Sequence, residues 1–287
     1  MQEKRHFSRL GVENTAIFAV FCTQRSSEFR HMVFSTGSVE WREIEETNMA
    51  IGNPSKALEE TMGRAVHLPH RAVAVAFLDS IPADLDKFDG TEPSGCSFWR
   101  LAASGKSFYT LPANHFNCAV GAFTHNVPLP AAREGETEQT LGMMFALGYL
   151  QPEEVPELPR LAKPPAAIAY SPLGDARFAP DVVIFACQPA TAMLLLEAAR
   201  RAGISSAVPA MGRPTCMALP AALESGAILS LGCIGNRSYT GLGRDELYFI
   251  VRGRDLDALA RSLGVIARAN EELERYALGR RAELATI

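Results

Sequence analysis

The chain lacks the features by which most function classes announce themselves. Its 287 residues carry 28 Lys+Arg against 32 Asp+Glu, a formal net charge of −4, so there is no basic excess to act as a footprint for nucleic acid. Long apolar runs are missing too. The longest early one, Thr15 to Cys22, is about half a membrane-spanning helix, and no small-residue cleavage signature follows it. The chain therefore reads as a soluble, cytoplasmic protein without a membrane partner. It has no Walker loop, no Gly-x-Gly-x-x-Gly after a strand and no His-Glu-x-x-His, which removes support for the standard nucleotide enzymes and zinc proteases. Cysteine is sparse, with six residues at irregular spacing. That is unlike a small disulfide scaffold, and the cytoplasm keeps such thiols reduced. Neither a Cys-x-x-Cys pair nor a ferredoxin-like run occurs.

What is present is a set of four cysteines in glycine-rich or helix-start contexts, arranged as two spaced pairs. Cys96 lies in Ser94-Gly-Cys-Ser-Phe-Trp99, Cys118 in Asn117-Cys-Ala-Val-Gly121, Cys216 in Pro214-Thr-Cys-Met217, and Cys233 in Gly232-Cys-Ile-Gly-Asn-Arg237. A thiolate is both nucleophile and metal ligand, and a helix start lowers thiol pKa through its unpaired amides. Gly121 and Gly235, beside Cys118 and Cys233, let backbone approach a bound group and leave amide donors facing it. Four thiolates suit an iron–sulfur cluster or, as the alternative, zinc. The competing view is that free cysteine packs as a small apolar side chain, and it is preferred for Cys22 and Cys187, which sit in apolar strand-like runs. His115 and His125 flank Cys118 and are candidates for handling a proton, although a loop histidine is usually a surface polar group. Arg237, in a glycine-rich loop, is a candidate clamp for a small anionic molecule, or else a structural partner of Asp245 or Glu246.

Periodicity and punctuation place these residues. A helix is predicted from Asn53-Pro54 to His67, a buried strand over Arg71 to Leu78, a short helix over Ser97 to Ser104 capped by Gly105, and a helix over Glu136 to Leu147. Prolines at 152, 156, 159, 164 and 165 predict an extended connector over 151–165. Beyond it, strands are predicted at Ala166 to Ser171, Asp181 to Ala186 and Glu246 to Val251, with a weaker one at Ala207-Val208. Helices are predicted at Ala190 to Ala202 and from Asp255 onward. Ile17 to Cys22 and His31 to Ser35 are further strand candidates. The alternation predicts an α/β architecture: an N-terminal extension (1–45), a first α/β lobe (46–150), the connector, and a second α/β lobe with a C-terminal helix (166–287). Both halves contain an apolar strand, a cysteine near a helix start, and a cysteine followed closely by glycine. The spacing within each cysteine pair differs, 22 residues against 17, so it is the order of parts that points to an internal duplication, with the four cysteines meeting across a cleft between two similar lobes.

The run from Ala72 to Gly253 resembles the family called domain of unknown function 169, or ArCR. The resemblance rests on Ala72-Val-Ala-Val-Ala-Phe77, Cys96 with Ala102 and Gly105, Cys118 with Gly121, Pro180-Asp-Val-Val-Ile-Phe185, Gly212 with Cys216, and above all Ser230-Leu-Gly-Cys-Ile-Gly-Asn-Arg237. It implies a cysteine-containing protein and no particular reaction. Residues 1–45 lie outside it, and His115 to Pro130 is similar to a subtype elaboration.

The leading expectation is a thiolate site of Cys96, Cys118, Cys216 and Cys233 that holds an iron–sulfur cluster or other metal, with redox or Lewis-acid chemistry beside it. Arg237 would bind the anion and His125 or His115 would move the proton. The alternatives are a metal-free enzyme with Cys96 or Cys233 as nucleophile, and a non-catalytic carrier of a small ligand or metal. The C-terminal helix carries mixed charges over a core stripe and offers a face for a homodimer.

Overall fold

The computed structural model describes residues 30–35, 38–43, 54–205 and 214–285. The chain divides into two compact units, Met1–Ala50 and Ile51–Ile287. In the first, β1 (Arg30–Ser35) and β2 (Ser38–Glu43) pair antiparallel, with Ser35 opposite Ser38. The strand candidates at Ile17 to Cys22 and Ala207-Val208, and Cys22 itself, lie outside the described residues.

In the second unit, α1 (Pro54–Ala65) leads into β3 (Val73–Leu78), α2 (Gly95–Ala103), β4 (Phe108–Thr110) and α3 (Ala119–Thr124). An excursion through α4 (Glu136–Ala146) follows. The proline-rich connector then forms a 3-10 helix over Pro152–Glu157 in place of the extended run predicted. Its leading Pro152 takes a first-turn position, where the missing N–H costs nothing, and Glu154 Oε2 accepts the Gln151 N–H at 2.6 Å. The chain continues through β5 (Ala167–Pro172), β6 (Val182–Cys187), α5 (Pro189–Arg201), α6 (Ala218–Ser225), β7 (Ala227–Ser230), α7 (Ile234–Thr240), β8 (Leu247–Arg252) and α8 (Leu256–Leu284). The predicted strands and helices appear with shifts of a few residues at their ends. Strands β4 and β7, of three and four residues, are too short to show a period.

Mixed helix and strand content is as predicted, but the arrangement differs from two lobes about a cleft. The strands form a single six-stranded sheet in the order β4-β5-β3-β6-β8-β7, with every strand pairing antiparallel. The halves join at its centre, where Val73, Ala74 and Val75 of β3 lie opposite Ile184, Val183 and Val182 of β6. Reading outward from this seam, the first half presents its strands as β3, β5, β4 and the second as β6, β8, β7.

Side chains alternate across the sheet and feed two separate cores. On one face, Ala74, Val183, Phe185 and Phe249 pack with Leu58 and Met62 of α1, Leu195 of α5, and Leu259 and Leu263 of α8. On the other, Val73, Val75, Ile168, Tyr170, Ile184 and Ile250 pack beneath α2 and α6. Cys187 belongs to the first core, as expected of a packing cysteine, whereas Cys96 and Cys216 belong to the second. Among the described residues no helix is long and apolar enough to cross a membrane.

Candidate thiol site

The four cysteines predicted to act together all lie at helix starts on the second face. Cys96 is the second residue of α2, so that helix begins two residues earlier than predicted. Its N-cap is Ser94, whose hydroxyl contacts Ser97 Oγ at 3.2 Å rather than a backbone amide. Cys118 caps α3, and its sulfur accepts the Gly121 N–H at 3.3 Å. Cys216 sits in a 3-10 turn, Thr215–Met217, that runs into α6. Cys233 caps α7 and donates its backbone N–H to Thr215 Oγ1 at 2.5 Å, which ties the second pair together. The pairs meet because α2 packs on α7, while α3 and α2 both pack on the Thr215–Met217 turn. In charged form Cys96 would feel Cys118 and Cys233, and Cys216 would feel the other three.

Cys96 and Cys216 are buried, whereas Cys118 and Cys233 are half-buried. Burial pushes the Cys96, Cys118 and Cys216 thiols up from their ordinary range, and the neighbouring cysteines add to the rise. These three thiols are therefore protonated at neutral pH, against the acidic thiols predicted from their helix-start positions, because desolvation outweighs the amides. Among the described residues no three His, Cys, Asp or Glu side chains converge closely enough to hold a single metal ion.

Both predicted histidines belong to this site and both are buried. The Thr110 hydroxyl donates to Ile168 O at 3.2 Å, so it accepts from His115 Nε2–H at 2.8 Å. His115 Nδ1 is then the bare nitrogen, and it faces Gly95, where a Cβ would lie 3.4 Å from it. His125 is the C-cap of α3, with its ring 6.1 Å from that of His115 and 5.8 Å from Phe77. Burial, with a contribution from His125, lowers His115 to about 3. Burial alone lowers His125 to about 4, against a small opposing effect from the Cys216 backbone. Both imidazoles are neutral in the folded protein and belong to its interior, not to the surface.

Arg237 bonds within its own loop, the structural alternative to an anion clamp, with the Glu246 carbonyl among its partners. Its guanidinium donates to Gly243 O at 2.5 Å, to Glu246 O at 2.9 Å and to Leu231 O. It closes the segment 231–246 around α7, and these bonds commit the face that would clamp an anion. The two glycines also separate. At Gly121 a Cβ would lie 3.2 Å from Cys118 Sγ, so the small residue matters there, whereas at Gly235 it would make only an ordinary 3.9 Å contact with Tyr239. The glycine that the second loop requires is Gly232, at φ +74°, where a Cβ would meet Leu242 at 2.9 Å and Asn236 Oδ1 at 3.0 Å.

Asn236 is the residue that sequence reasoning passes over. It is 2% exposed, neither of its amide atoms has a hydrogen-bond partner in the protein, and it lies beside the Cys96 thiol and the Tyr248 hydroxyl. His125 has both ring nitrogens unpartnered as well. Unpaired polar atoms are rare in a protein interior, and here they surround four thiols.

No curated protein and no solved structure matches the chain. A family model matches residues 61–262, described as uncharacterised ArCR, domain of unknown function 169. That span contains all four cysteines of the site, both histidines and Asn236, and the chain belongs to this family.

Proposed function

We propose that residues 73–252 are two copies of one strand–helix–strand–helix–strand unit, and that together they hold an iron–sulfur cluster through Cys96, Cys118, Cys216 and Cys233. The observation that carries this reading is the equivalence of the cysteines. Cys216 follows Cys96 by 120 residues and Ile228 follows Phe108 by the same 120. One shift therefore lays cysteine on cysteine and β4 on β7. Under it, buried Phe98, Trp99 and Ala102 fall on buried Ala218, Leu219 and Ala222. In each copy the edge strand is followed by a cysteine that caps the next helix. The outward strand order from the β3–β6 seam is the same on both sides, as a two-fold axis through that seam requires.

Each copy thus brings one buried and one half-buried thiol to the axis. Zinc would need all its sulfurs about 2.3 Å from one point, and the described groups do not converge that tightly. A cluster spreads its thiolates over several irons, which favours it here. When bound, such a group supplies electron transfer or Lewis acidity. The chain contributes thiols that are protonated in its absence, so loading releases protons. It also contributes a bare acceptor at His115 Nδ1 and neutral His125 beside Cys216. With Arg237 committed to carbonyls, an anionic substrate is not part of the proposal. The five free cysteines among the described residues suit a reducing compartment such as the cytoplasm. On α8, exposed Leu273 and Leu284 continue the buried Leu259 and Leu263 stripe. Glu271, Glu272 and Glu274 there precede Arg275, Arg280 and Arg281, an order that matches a second copy running antiparallel.

The test is anaerobic purification, with iron, zinc and acid-labile sulfide measured per chain and a visible spectrum recorded. Iron with matching sulfide supports the reading. A protein that stays colourless and iron-free after reconstitution refutes it. The second reading, a thiol nucleophile at Cys233, is favoured by that residue's partial exposure and predicts that Cys233→Ser alone abolishes labelling by a thiol-reactive probe.

A further inference from the structure

The excursion between α3 and β5 carries apolar side chains that neither core takes up. No residue of α4 is buried, and its Leu141 and Phe145, one turn apart, are half-buried and belong to neither packed face of the sheet. Beyond α4 the chain doubles back, with the Gly148 N–H donating to Phe145 O at 2.9 Å and the Tyr149 N–H to Met144 O at 2.8 Å. Val155 and Pro156 of the 3-10 turn then line a groove with Leu141 and Phe145, and Phe123 of α3 completes its apolar wall. The groove has a volume of about 590 Å³, within the usual range of small-ligand sites. Proline has no N–H, so this wall is poor in backbone donors.

Two charged side chains of opposite sign complete the lining, Arg160 and Glu138, and both are exposed. Arg160 is held in advance. Its guanidinium lies over the Phe123 ring, 4.7 Å from the centroid, and donates to Asn126 Oδ1 at 2.6 Å. The Asn126 amide is fixed at its other end by donating to Leu161 O at 3.1 Å. Among the described residues Asn126 alone, glycine aside, has a left-handed backbone, with φ at +55°, a conformation that asparagine tolerates better than most residues. An arginine oriented before its partner arrives loses less freedom on binding it. Glu138 has no hydrogen-bond or ion-pair partner among the described residues.

These charges decide the kind of occupant. A purely apolar molecule would leave both unanswered, an apolar anion would be opposed by Glu138, and an apolar cation would be opposed by Arg160. A molecule with an apolar body and one charge of each sign answers both. We infer that the groove binds a short apolar peptide with free ends, its carboxylate on Arg160, its ammonium on Glu138, and its side chains against Leu141, Phe145 and Val155. The site is separate from the four thiols and does not depend on the cluster reading.

The experiment titrates the full chain with the tripeptide Leu-Leu-Leu, with its C-terminal amide and with its N-acetyl form, and obtains Kd by ligand-detected NMR. The proteins are wild type, Arg160→Gln, Glu138→Gln and Leu141→Ser. Wild type should bind the free tripeptide saturably, and blocking either end should weaken binding about three- to tenfold, the range for one exposed or hydrogen-bonded ion pair. In Arg160→Gln the free peptide and the amide should bind alike, while acetylation still weakens binding. In Glu138→Gln the free and acetylated peptides should bind alike, while amidation still weakens binding. Leu141→Ser should weaken all three ligands together. A merely structural role for either charge would not make its variant indifferent to one end of the ligand. No saturable binding to wild type overturns the inference. So does end selectivity that persists in both charge variants, and so does tighter binding of the acetylated form, which would mark the groove as a site for apolar anions. If Leu141→Ser fails to fold, the two exposed charge variants decide the matter.

Discussion

Replacing Arg237 with Gln separates a structural role from a ligand-binding one. The wild-type guanidinium holds the carbonyls of Leu231, Gly243 and Glu246, and so spans the loop before α7 and the loop leading into β8. Each such bond contributes about 1 kcal/mol net, so losing all three costs about 3 kcal/mol. Glutamine is shorter and offers one NH2 group, which recovers at most one of the three. In a unit of this size 1 kcal/mol corresponds to about 2–4 °C, so the expected fall in Tm is about 4–12 °C. Differential scanning calorimetry or thermal circular dichroism reads this directly. Arg237→Lys should fall nearly as far, because one ammonium on a flexible stem cannot reproduce a planar fork held by three carbonyls. An anion clamp predicts the reverse: an unchanged Tm, since a substrate-facing guanidinium contributes little to folding, together with lost binding. A Tm within about 1 °C of wild type for Arg237→Gln, inside the usual scatter for surface substitutions, would refute the assignment of Arg237 to the loop.

Four more outcomes are expected. If the copies are equivalent, Cys96→Ser and Cys216→Ser should lower bound iron alike, and so should Cys118→Ser and Cys233→Ser, as read by iron and sulfide analysis. A loss confined to the pair in one half would contradict the shared axis. Gly232→Ala puts a Cβ 2.9 Å from Leu242 at a φ of +74° and should destabilise by about 1–3 kcal/mol, measured as a shift in the urea midpoint. Acid should weaken the metal-free fold early. His115 and His125 are lowered to about 3 and about 4, so below about pH 6.5 the unfolded chain binds up to two more protons than the folded one. Stability then falls by up to about 1.4 kcal/mol per proton for each pH unit descended. Urea midpoints from pH 7 to pH 5 should show this slope, and His115→Phe should roughly halve it. Light scattering should report a dimer that Leu273→Glu converts to monomer.

Where each side chain faces was less legible in the chain than which residues matter. The cysteines could be singled out because the glycines, prolines and asparagines around them mark helix starts, a local property. For Arg237 the sequence leaves a clamp and a structural role open, because it shows an arginine in a glycine-rich loop but not the return of Gly243 and Glu246 onto its guanidinium. In the sequence His115 and His125 read as loop histidines. Their burial depends on α3 lying over the Phe77 end of β3, a contact between residues almost fifty apart. Asn236 stands inside the Ser230 to Arg237 motif, yet nothing local marks its amide as unpartnered. Strands β4 and β7 carry no readable period, and the β3–β6 pairing that makes the sheet one continuous layer joins residues about a hundred apart, which no local pattern reveals.

The proposed duplication is the feature least legible in the sequence, and the reason is physical. A repeated unit keeps only what its packing requires, and additions at loops cost little. Under that proposal the first copy would carry residues 127–160 as an addition between α3 and β5, and the second would carry α5 as one between β6 and the turn bearing Cys216. These additions fall at different points, so the offset between the copies is not constant, and the cysteine spacings of 22 and 17 look unrelated. The shift of 120 holds only over the stretch from the buried cysteine to the edge strand, where a helix lies directly on the sheet and a change in length would turn its buried face away. Inside that stretch the identities differ, Phe98 against Ala218 and Trp99 against Leu219, while the burial matches. The position least free to change chemistry is the cysteine. A site on such an axis would receive the same group from both copies, so the loss of either cysteine would remove one of four ligands and break the symmetry of the set. If the proposed duplication holds, cysteine at both Cys96 and Cys216 amid differing neighbours is the pattern expected of two ligands, and it is not required if either merely fills space.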